Sequence, residues 1–246
     1  MTIDASGRAR ARSFDAAAAL YAAHRPSYPP ALLDAVEELA GRPLADSLAV
    51  DVGAGTGLAT ALLYERGARV LAVEPGDGMA EQFRRDLPHL PVVRGVGEHL
   101  PLADRSVDLV TYAQAFHWTD PARSVPEARR VLRPGGALAL WWNDWDTDTD
   151  WLAAQDRRIR GFFDAIGVSL RDVPVDPPFV ARRVTWSRRL TLDAHLANHA
   201  SHSAFLLLGA AGTHEFLARE RDRLAALFPE GVVEERYVTS LFVARP

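Results

Sequence analysis

Between residues 48 and 142, short apolar runs alternate with amphipathic stretches, and this alternation limits the possible folds more than any other feature of the chain. Short runs rich in valine, leucine and alanine are typical of buried strands, and stretches with a helical spacing of apolar residues are typical of helices. A strand, a helix and another strand in succession favour a parallel sheet with helices on both faces. We therefore predict an α/β fold with a mostly parallel seven-stranded sheet whose last strand is antiparallel.

The element boundaries follow from the apolar spacing and from the glycine and proline residues between elements. The predicted strands are Leu48–Val52, Arg69–Val73, Pro91–Arg94, Val107–Thr111, Ala137–Trp142, Ala181–Leu190 and Val233–Ala244. The predicted helices are Phe14–Ala23, Ala31–Leu39, Leu58–Arg66, Asp77–Asp86, Pro121–Leu132, Trp151–Ile166, Asp193–Leu208 (one or two helices) and Thr213–Phe228. Asp77 is expected to be a helix N-cap, and Gly167–Pro178 is expected to be a loop. Ligands of such sheets bind beyond the carboxyl ends of the strands, so the residues after each strand are the candidate site residues.

The chain is expected to form one domain over residues 13–246, because no repeat, low-complexity tract or linker divides it. Residues 1–12 are predicted to be a disordered or fraying N-terminus, since no apolar segment of the signal-peptide kind follows their arginines. No apolar run reaches the roughly 18 residues of a membrane span. These features predict a cytoplasmic protein that does not enter the membrane.

Composition excludes several kinds of site. The chain contains no cysteine, which excludes disulfides, thiolate metal sites and a cysteine nucleophile. The net charge is −4, whereas a protein that binds the nucleic-acid backbone usually carries a basic face. We therefore expect no nucleic-acid partner.

A glycine turn follows the first predicted strand, in the segment Asp51–Gly57. Glycines at alternate positions let the backbone turn sharply and approach a ligand without a Cβ clash. The dinucleotide fingerprint G-x-G-x-x-G would need a glycine at Leu58, but the third glycine stands one place earlier. The turn therefore predicts a nucleotide-like ligand other than a dinucleotide.

Two acidic residues end the first two strands. A carboxylate at Asp51 would repel a pyrophosphate and would suit a ligand that carries an ammonium and a sulfonium group. Glu74 stands where the acid of nucleotide-binding folds accepts both ribose hydroxyls. Together with the glycine turn, these acids indicate a positively charged nucleoside ligand.

At this point the residues resemble the class I S-adenosylmethionine-dependent methyltransferases, in the group with a "methyltransferase 11" type domain. The resemblance covers roughly Phe14 to Trp142, and it implies a Rossmann-like sheet with an N-terminal helical lid. Its motifs are Asp51–Gly57, Val73-Glu74-Pro75 with Met79, Gly97–Leu102, Ala113–Trp118 and Leu132–Gly136. Val96 stands where many relatives have aspartate, so a side-chain contact to the adenine amine is in doubt, while backbone contacts from Gly97 and Glu98 could remain.

The resemblance implies S-adenosylmethionine as cofactor and S-adenosylhomocysteine as product. The cofactor residues that it implies are Tyr21, Arg25, Asp51, Gly53, Ala54, Gly55, Gly57, Glu74, Pro75, Met79, Gly97, Glu98, Ala113, Gln114 and Trp118. Arg25 is implied to reach the methionine carboxylate or an acidic acceptor, with Tyr21 and Tyr28 closing a lid. The alternative is that both tyrosines are packing residues. Residues 143–180 and 193–210 are expected to be insertions that form a lid or the acceptor site.

Methyl transfer from a sulfonium is an in-line displacement, so the protein mainly aligns the reacting groups. His117 follows the fourth strand and is the candidate general base. A carboxylate acceptor would need no base, and His117 with Trp118 could equally be structural. We expect no metal site.

Three other constellations deserve comparison with a ligand site. His195, His199 and His202 share a predicted helical face, as zinc ligands can, but no glutamate follows His195, so pocket-lining or surface histidines are expected. The acidic segment Asn143–Asp150 lacks the glycine and glutamate of an EF-hand. The tryptophans Trp141, Trp142, Trp145 and Trp151 are expected to divide between the core and an aromatic acceptor site or a lid.

These observations favour a methyltransferase that acts on a small molecule, with O-methylation of a carboxylate or hydroxyl as the expected reaction. Two alternatives belong to other classes: a cofactor-binding protein of the same fold without methyl transfer, and a nucleic-acid methyltransferase. The net charge of −4 and the lack of a basic arm disfavour the second. A monomer and a homodimer are both compatible with the sequence.

Overall fold

The structure is a computed structural model that describes residues 18–165 and 179–245. Its strands are β1 Leu48–Val52, β2 Arg69–Glu74, β3 Val92–Arg94, β4 Val107–Ala113, β5 Leu132–Trp145, β6 Val180–Thr191 and β7 Val232–Ala244. Its helices are α1 Ala18–His24, α2 Pro30–Ala40, α3 Leu58–Glu65, α4 Asp77–Asp86, α5 Pro121–Val131, α6 Asp150–Ala165, α7 Leu192–Ala200 and α8 Ser203–Leu227, and a 3-10 turn spans Phe116–Trp118.

The seven strands form one sheet in the order β3-β2-β1-β4-β5-β7-β6. Strands β1 to β5 pair in parallel, and β7 pairs antiparallel with both β5 and β6. This arrangement confirms the predicted fold class. The strand order reverses between β1 and β4, where the chain leaves toward opposite edges, and such a switch point is where an open α/β sheet binds its ligands.

Helices cover both faces of the parallel half of the sheet. On one face, Val36 of α2 and Leu63 of α3 pack with Leu109 of β4. On the other face, Val131 of α5 packs with Val110. Because parallel strands are apolar on both faces, neither face of this half can be left to water.

Helices α6 and α8 form a smaller apolar cluster of their own. Its buried members include Ile159 and Phe163 of α6 and Phe205 and Phe216 of α8. The ring centroids of Phe163 and Phe205 lie 4.9 Å apart in an edge-to-face arrangement. This cluster places α6 and α8 beside the end of β5, where they can enclose a ligand site.

Several sequence-based boundaries need correction. Gly76, not Asp77, is the N-cap of α4, and no side chain caps this end. The fifth strand is longer than predicted because antiparallel pairing with β7 continues as far as Trp145. The last helices divide at residues 201–202, and Gly209 interrupts α8 with a φ of 81°. The predicted loop Gly167–Pro178 and residues 1–17 lie outside the described residues.

Within residues 18–165 and 179–245, no helix is long and apolar enough to cross a membrane.

Candidate active site

A cavity of about 1180 Å³ opens beyond the carboxyl ends of β1, β2, β4 and β5. Most of the residues that the sequence singled out border it: Tyr21, Arg25, Gly53, Ala54, Gly55, Glu74, Pro75, Met79, Gly97, Glu98, Ala113, Gln114, His117 and Trp118. Asp51 and Gly57 do not border it. We call the part around Gly53–Thr56, Glu74, Met79, Gly97 and Glu98 the turn side. The part around Tyr21, Arg25, Tyr28, Trp145, Ile159, Phe163, His199, His202 and Phe205 is the aromatic side.

The three glycines of the turn are needed for different reasons. Each has a positive φ: 68° at Gly53, 59° at Gly55 and 93° at Gly57. A Cβ at Gly53 would lie 2.6 Å from the Cβ of Ala115, and one at Gly57 would lie 2.7 Å from the ring of Phe83. A Cβ at Gly55 would meet nothing within 4 Å. Gly53 and Gly57 therefore allow neighbouring segments to approach, whereas Gly55 faces open space in the cavity.

Thr56 leaves a polar atom on this side without a partner. Its side chain is 4 % exposed, and its Oγ1 has no hydrogen-bond partner in the described part of the chain. Buried polar groups are nearly always hydrogen-bonded in native structures. The hydroxyl is therefore suited to a ligand atom.

Glu74 borders the turn side at the end of β2. Its two carboxylate oxygens accept hydrogen bonds from the backbone N–H of Gly55, at 2.8 Å, and of Gly76, at 2.7 Å. A carboxylate has about four lone-pair sites, so each oxygen can also accept a ligand hydroxyl. These bonds hold the acid at the end of β2 in a fixed orientation.

Asp51 lies beneath the turn instead of facing the cavity. Its carboxylate is fully buried and accepts hydrogen bonds from the hydroxyls of Thr60, at 2.6 Å, and Thr111, at 2.9 Å. Burial raises the pKa of Asp51 to about 6, and the two hydroxyls oppose this change. The position does not support direct contact between Asp51 and a cationic ligand. Gly57 is likewise the N-cap of α3 and packs against α4.

The far wall of the turn side is formed by Gly97 and Glu98. The hydroxyl of Tyr112 donates to the carbonyl of Gly97 at 3.4 Å, and a Cβ at Gly97 would lie 2.9 Å from that hydroxyl. The carboxylate of Glu98 accepts the N–H of Asp120, the N-cap of α5, at 2.8 Å. The loop is thus fastened to β4 and α5. On the neighbouring helix α4, Met79 is buried beside the cavity.

Gln114 adopts a left-handed backbone at the end of β4, with a φ of 56°. Its backbone N–H donates to the carbonyl of Trp141 at 2.9 Å, and its side-chain amide donates to the carbonyl of Asn143 at 3.2 Å. Non-glycine residues with positive φ store strain that clusters at functional sites. This conformation directs the chain across the mouth of the cavity.

The ring of His117 is fixed by Trp142. The indole N–H of Trp142 donates to Nδ1 of His117 at 3.1 Å. Because an indole nitrogen can only donate, Nδ1 must be the acceptor, and the neutral ring then carries its proton on Nε2. His117 therefore offers an N–H from Nε2, not a lone pair, so its geometry does not support the predicted role of general base.

The tryptophans divide differently from the prediction. Neither Trp141 nor Trp142 borders the cavity: Trp141 is buried against the edge of Tyr28, and Trp142 packs on Phe242. Trp151 packs on Phe228 in the interior. Of these four described tryptophans, Trp145 alone borders the cavity, because it ends the extended part of β5.

Trp145 belongs to a column of stacked rings on the aromatic side. Trp186 stacks on Tyr237, and Tyr237 stacks on Trp145, with 4.7 Å between centroids in both pairs. The ring of His199 lies 5.1 Å from Trp145, and His202 follows at 5.8 Å. The column runs from the middle of the β6–β7 pair to the cavity wall.

A buried polar network supports this column. Glu235 is fully buried, and its carboxylate accepts hydrogen bonds from Arg188 at 2.5 Å, from the hydroxyl of Tyr237 at 2.7 Å and from Nδ1 of His195 at 2.7 Å. The other ring nitrogen of His195 lies 2.9 Å from Oε1 of Gln155 on α6. Burial raises the pKa of Glu235, but the bonds to His195, Tyr237 and Arg188 outweigh it and leave the pKa lowered.

The three histidines therefore do not form one helical face. His195 and His199 are buried on α7, whereas His202 is the N-cap of α8. Burial lowers the pKa of both His199 and His202 well below the ordinary value, and the charge of Arg25 lowers them further. Both rings are thus neutral at pH 7.

Arg25 joins the segment after α1 to the start of α8. Its guanidinium lies 3.1 Å from Nε2 of His202 and donates to the carbonyl of Ser201 at 3.4 Å. It also lies over the ring of Tyr21, 4.6 Å from the centroid. The side chain therefore forms part of the wall between the two sides.

The sequence analysis named residues 143–180 and 193–210 as acceptor-site insertions, but it did not single out the side chains that α6, α8 and the β6–β7 pair add to the cavity. These are Ile159, Phe163, Arg183, Ala204, Phe205, Val238 and Ser240, among others. Apolar spacing marks Phe163 and Phe205 only as buried helix positions. Apolar spacing does not predict which side chains of these two helices contact each other.

Residues 50–140 match the family model described as a methyltransferase domain. An uncharacterized methyltransferase of Mycobacterium tuberculosis is 39% identical over 224 residues, which cover 89% of this chain and 88% of the relative. A solved structure of a putative type II methyltransferase from Anaeromyxobacter dehalogenans is 29% identical, with a TM-score of 0.68 over 90% of this chain and 97% of that one. A malonyl-[acyl-carrier protein] O-methyltransferase of Methylococcus capsulatus is 42% identical over 97 residues, 37% of this chain and 35% of the relative.

Proposed function

The chain belongs to the S-adenosylmethionine-dependent methyltransferases, and from this premise we propose that it methylates an oxygen atom of a small molecule, either a carboxylate or a hydroxyl. The cofactor occupies the turn side of the cavity and the acceptor occupies the aromatic side. The partial match to an O-methyltransferase is consistent with oxygen as the acceptor atom.

The size and division of the cavity carry this proposal. Its volume of about 1180 Å³ exceeds the roughly 300–1,000 Å³ of a pocket for one small ligand. One side is built of backbone turns, Glu74 and the unpartnered hydroxyl of Thr56, while the other is built of aromatic rings and apolar side chains. Two ligands of different chemistry can therefore lie side by side, as a transfer reaction requires.

The residues of the turn side fit S-adenosylmethionine. Gly55 leaves open space where any other residue would place a Cβ. Glu74 would accept the ribose hydroxyls, Met79 would cover the adenine, and Gly97 and Glu98 would border its edge. Bound there, the cofactor supplies an activated methyl group on a positively charged sulfur.

The protein contributes alignment and exclusion of water. Gln114 and His117 border the cavity between its two sides, where the acceptor oxygen must face the methyl group. Holding two reactants in line can contribute about 7–11 kcal/mol of the barrier. Helix α1 and residues 25–30 lie over the strand ends and keep water from the reacting atoms.

A small-molecule acceptor is favoured over nucleic acid. The net charge of the chain is −4. A base flipped from a polynucleotide would need a basic surface beside the cavity.

Calorimetry and label transfer test the proposal together. We expect S-adenosylhomocysteine to bind with one site per chain, and labelled methyl from S-adenosylmethionine to pass to an oxygen-containing small molecule. Binding without transfer to any oxygen acceptor would favour a cofactor-binding protein that lacks the reaction. Absence of binding would contradict the cofactor assignment.

A further inference from the structure

The aromatic side contains a cation, Arg25, that no acid of the described residues neutralises. Arg25 is half-buried, and its neighbours are the ring of His202, the carbonyl of Ser201 and the ring of Tyr21, none of which carries a negative charge. Its Nε has no hydrogen-bond partner among the described residues. A buried charge is costly unless an opposite charge accompanies it.

A second arginine that borders the cavity shows the contrast. Arg160 of α6 borders the same cavity and forms an ion pair with Asp156 at 2.7 Å. In the described parts of the chain, Arg25 has no carboxylate within ion-pair distance. The half-buried guanidinium of Arg25 is thus available to an anion that enters from outside, whereas Arg183, which also borders the cavity, is exposed to water.

Two of the three histidines that border the cavity, His117 and His202, are poorly placed to remove a proton; the third, His199, is buried with its Nε2 unpartnered among the described residues. Nδ1 of His117 accepts the indole N–H of Trp142. Nε2 of His202 faces the guanidinium of Arg25 and must accept from it, because a guanidinium only donates. A neutral ring has one acceptor nitrogen, so both rings have already used theirs. An acceptor that must lose a proton would find no base in either residue.

We propose that the methyl acceptor is a carboxylic acid with an aromatic or apolar body, whose carboxylate pairs with Arg25. This inference rests on the proposed function and specifies its substrate class. The body of the acid lies against Ile159, Phe163 and Phe205, which are buried beside the cavity. These side chains offer apolar surface and no hydrogen bonds, so an aliphatic or aromatic group fits them best.

The reaction balances without a base. One carboxylate oxygen accepts hydrogen bonds from Arg25, and a lone pair of the other oxygen forms the new bond to the methyl carbon. The carbon–sulfur bond breaks, and its electron pair stays on sulfur, which becomes neutral. The products are a methyl ester and S-adenosylhomocysteine, and no proton is released. The ester has lost its charge and hence its ion pair with Arg25, which favours its departure.

The first experiment compares acceptors that differ only in the reacting group. Labelled S-adenosylmethionine is offered with benzoic, phenylacetic and 3-phenylpropionic acids, and with the alcohol and the amide of each carbon skeleton. We expect label in the acids, released as methanol by mild alkali as an ester requires. If the alcohols incorporate label that resists alkali and the acids incorporate none, the inference is overturned and the proposed function stands.

The second experiment measures binding and does not depend on turnover. The same acids and amides are titrated into the protein saturated with S-adenosylhomocysteine. We expect at least one acid to bind at least tenfold more tightly than its amide, a difference of about 1.4 kcal/mol. Equal affinity of acid and amide for every skeleton would overturn the inference.

Variants of Arg25 test whether this residue binds the carboxylate of the acceptor. Arg25→Gln should abolish the preference for acid over amide, Arg25→Lys should retain part of it, and Arg219→Gln should leave it unchanged. Arg219 is the matched control because it pairs with Glu215, an exposed neighbour on α8, and lies outside the cavity.

The affinity for S-adenosylhomocysteine shows whether Arg25 binds the carboxylate of the acceptor or the methionine carboxylate of the cofactor. We expect Arg25→Gln to change it less than threefold. A tenfold loss of that affinity with an unchanged preference for acids would place Arg25 on the methionine carboxylate and overturn the inference. Failure of the wild-type protein to bind S-adenosylhomocysteine would instead contradict the proposed function.

Discussion

The two sides of the cavity differ in how far along the chain their contacts reach. On the turn side, Gly55 and Glu74 are joined by a hydrogen bond across 19 residues. On the aromatic side, Arg25 contacts His202 across 177 residues. A local motif builds the first, whereas the second exists only after α1, α6, α7 and α8 have packed around the end of the sheet.

This difference separates a site built from backbone turns from a site built from side chains within a single fold. The turn side depends on backbone geometry, which tolerates few substitutions. The aromatic side depends on side chains held by a buried network, so its shape can change by substitution without disturbing the turn. The variants below should therefore affect one side and spare the other.

The largest effect is expected on the stability of the aromatic side. Glu235→Ala would leave Arg188, Tyr237 and His195 without their common acceptor. Breaking such a buried pair costs about 3–5 kcal/mol, which lowers the Tm by roughly 10 °C for a chain of this size. Thermal unfolding measures it.

Glu234→Ala is the matched control, because its exposed pair with Arg236 spans 3.6 Å and exposed pairs contribute at most about 1 kcal/mol. Below its unfolding temperature, Glu235→Ala should bind S-adenosylhomocysteine like the wild type. Equal destabilisation by the two variants would show that the network does not hold the aromatic side together.

The second effect is a change of the free energy of unfolding with pH, caused by the ionisation of Asp51. The pKa of Asp51 is raised to about 6 by burial, so the folded state favours the protonated form and stability falls as pH rises from about 4 through 6. Between pH 4 and pH 7.5 this ionisation lowers the free energy of unfolding by roughly 2–3 kcal/mol. Asp51→Asn should remove this dependence.

Chemical unfolding at pH 4.5 and at pH 7.5 measures the change. The difference in unfolding free energy between Asp51→Asn and wild type should move in favour of the variant at the higher pH. A difference that is the same at both values would mean that Asp51 ionises normally beneath the turn.

The elements around Asp51 show what local sequence can and cannot predict. Strand Leu48–Val52 and helix Asp77–Asp86 have the predicted bounds because apolar spacing and glycines determine them locally. The side-chain direction of Asp51 depends instead on Thr60 and Thr111, whose hydroxyls approach only in the folded sheet. The acid therefore lies under the turn and not in the cavity.

The same limit applies to His117 and to the aromatic side. The position of His117 beside the cavity follows from the end of β4, but its tautomer depends on Trp142 of the neighbouring strand. The contact of α1 with α7 and α8 depends on packing between distant segments. The apolar spacing of the sequence does not predict this contact.

The third effect concerns ligand affinity on the turn side. Gly55→Val would place a side chain in the open space above the turn and strain a φ of 59°. We expect at least a hundredfold loss of affinity for S-adenosylhomocysteine, about 2.7 kcal/mol, by calorimetry.

Gly135→Val separates strain from occlusion, since Gly135 also has a positive φ, 78°, and open space, but lies outside the cavity. It should lower stability and keep the affinity. Loss of affinity in both variants would attribute the effect of Gly55→Val to destabilisation alone.

The fourth effect is also a loss of affinity for S-adenosylhomocysteine, and it is expected to be smaller. Glu74→Ala removes a carboxylate placed for two hydroxyls and should weaken the binding of S-adenosylhomocysteine by about 1.5–3 kcal/mol. Glu81→Ala, on the exposed face of α4, is the control in the same calorimetric titration. Wild-type affinity of Glu74→Ala would limit Glu74 to supporting the turn.

Hydrogen exchange with and without S-adenosylhomocysteine tests the central claim most directly, because it reports on both sides of the cavity in the unmodified protein. The account predicts slower exchange at residues 53–58 and 74–79, and at residues 18–30 that cover the strand ends, with no change in the outer part of the β6–β7 pair. Saturation with S-adenosylhomocysteine that leaves exchange at residues 53–58 and 74–79 unchanged would contradict it.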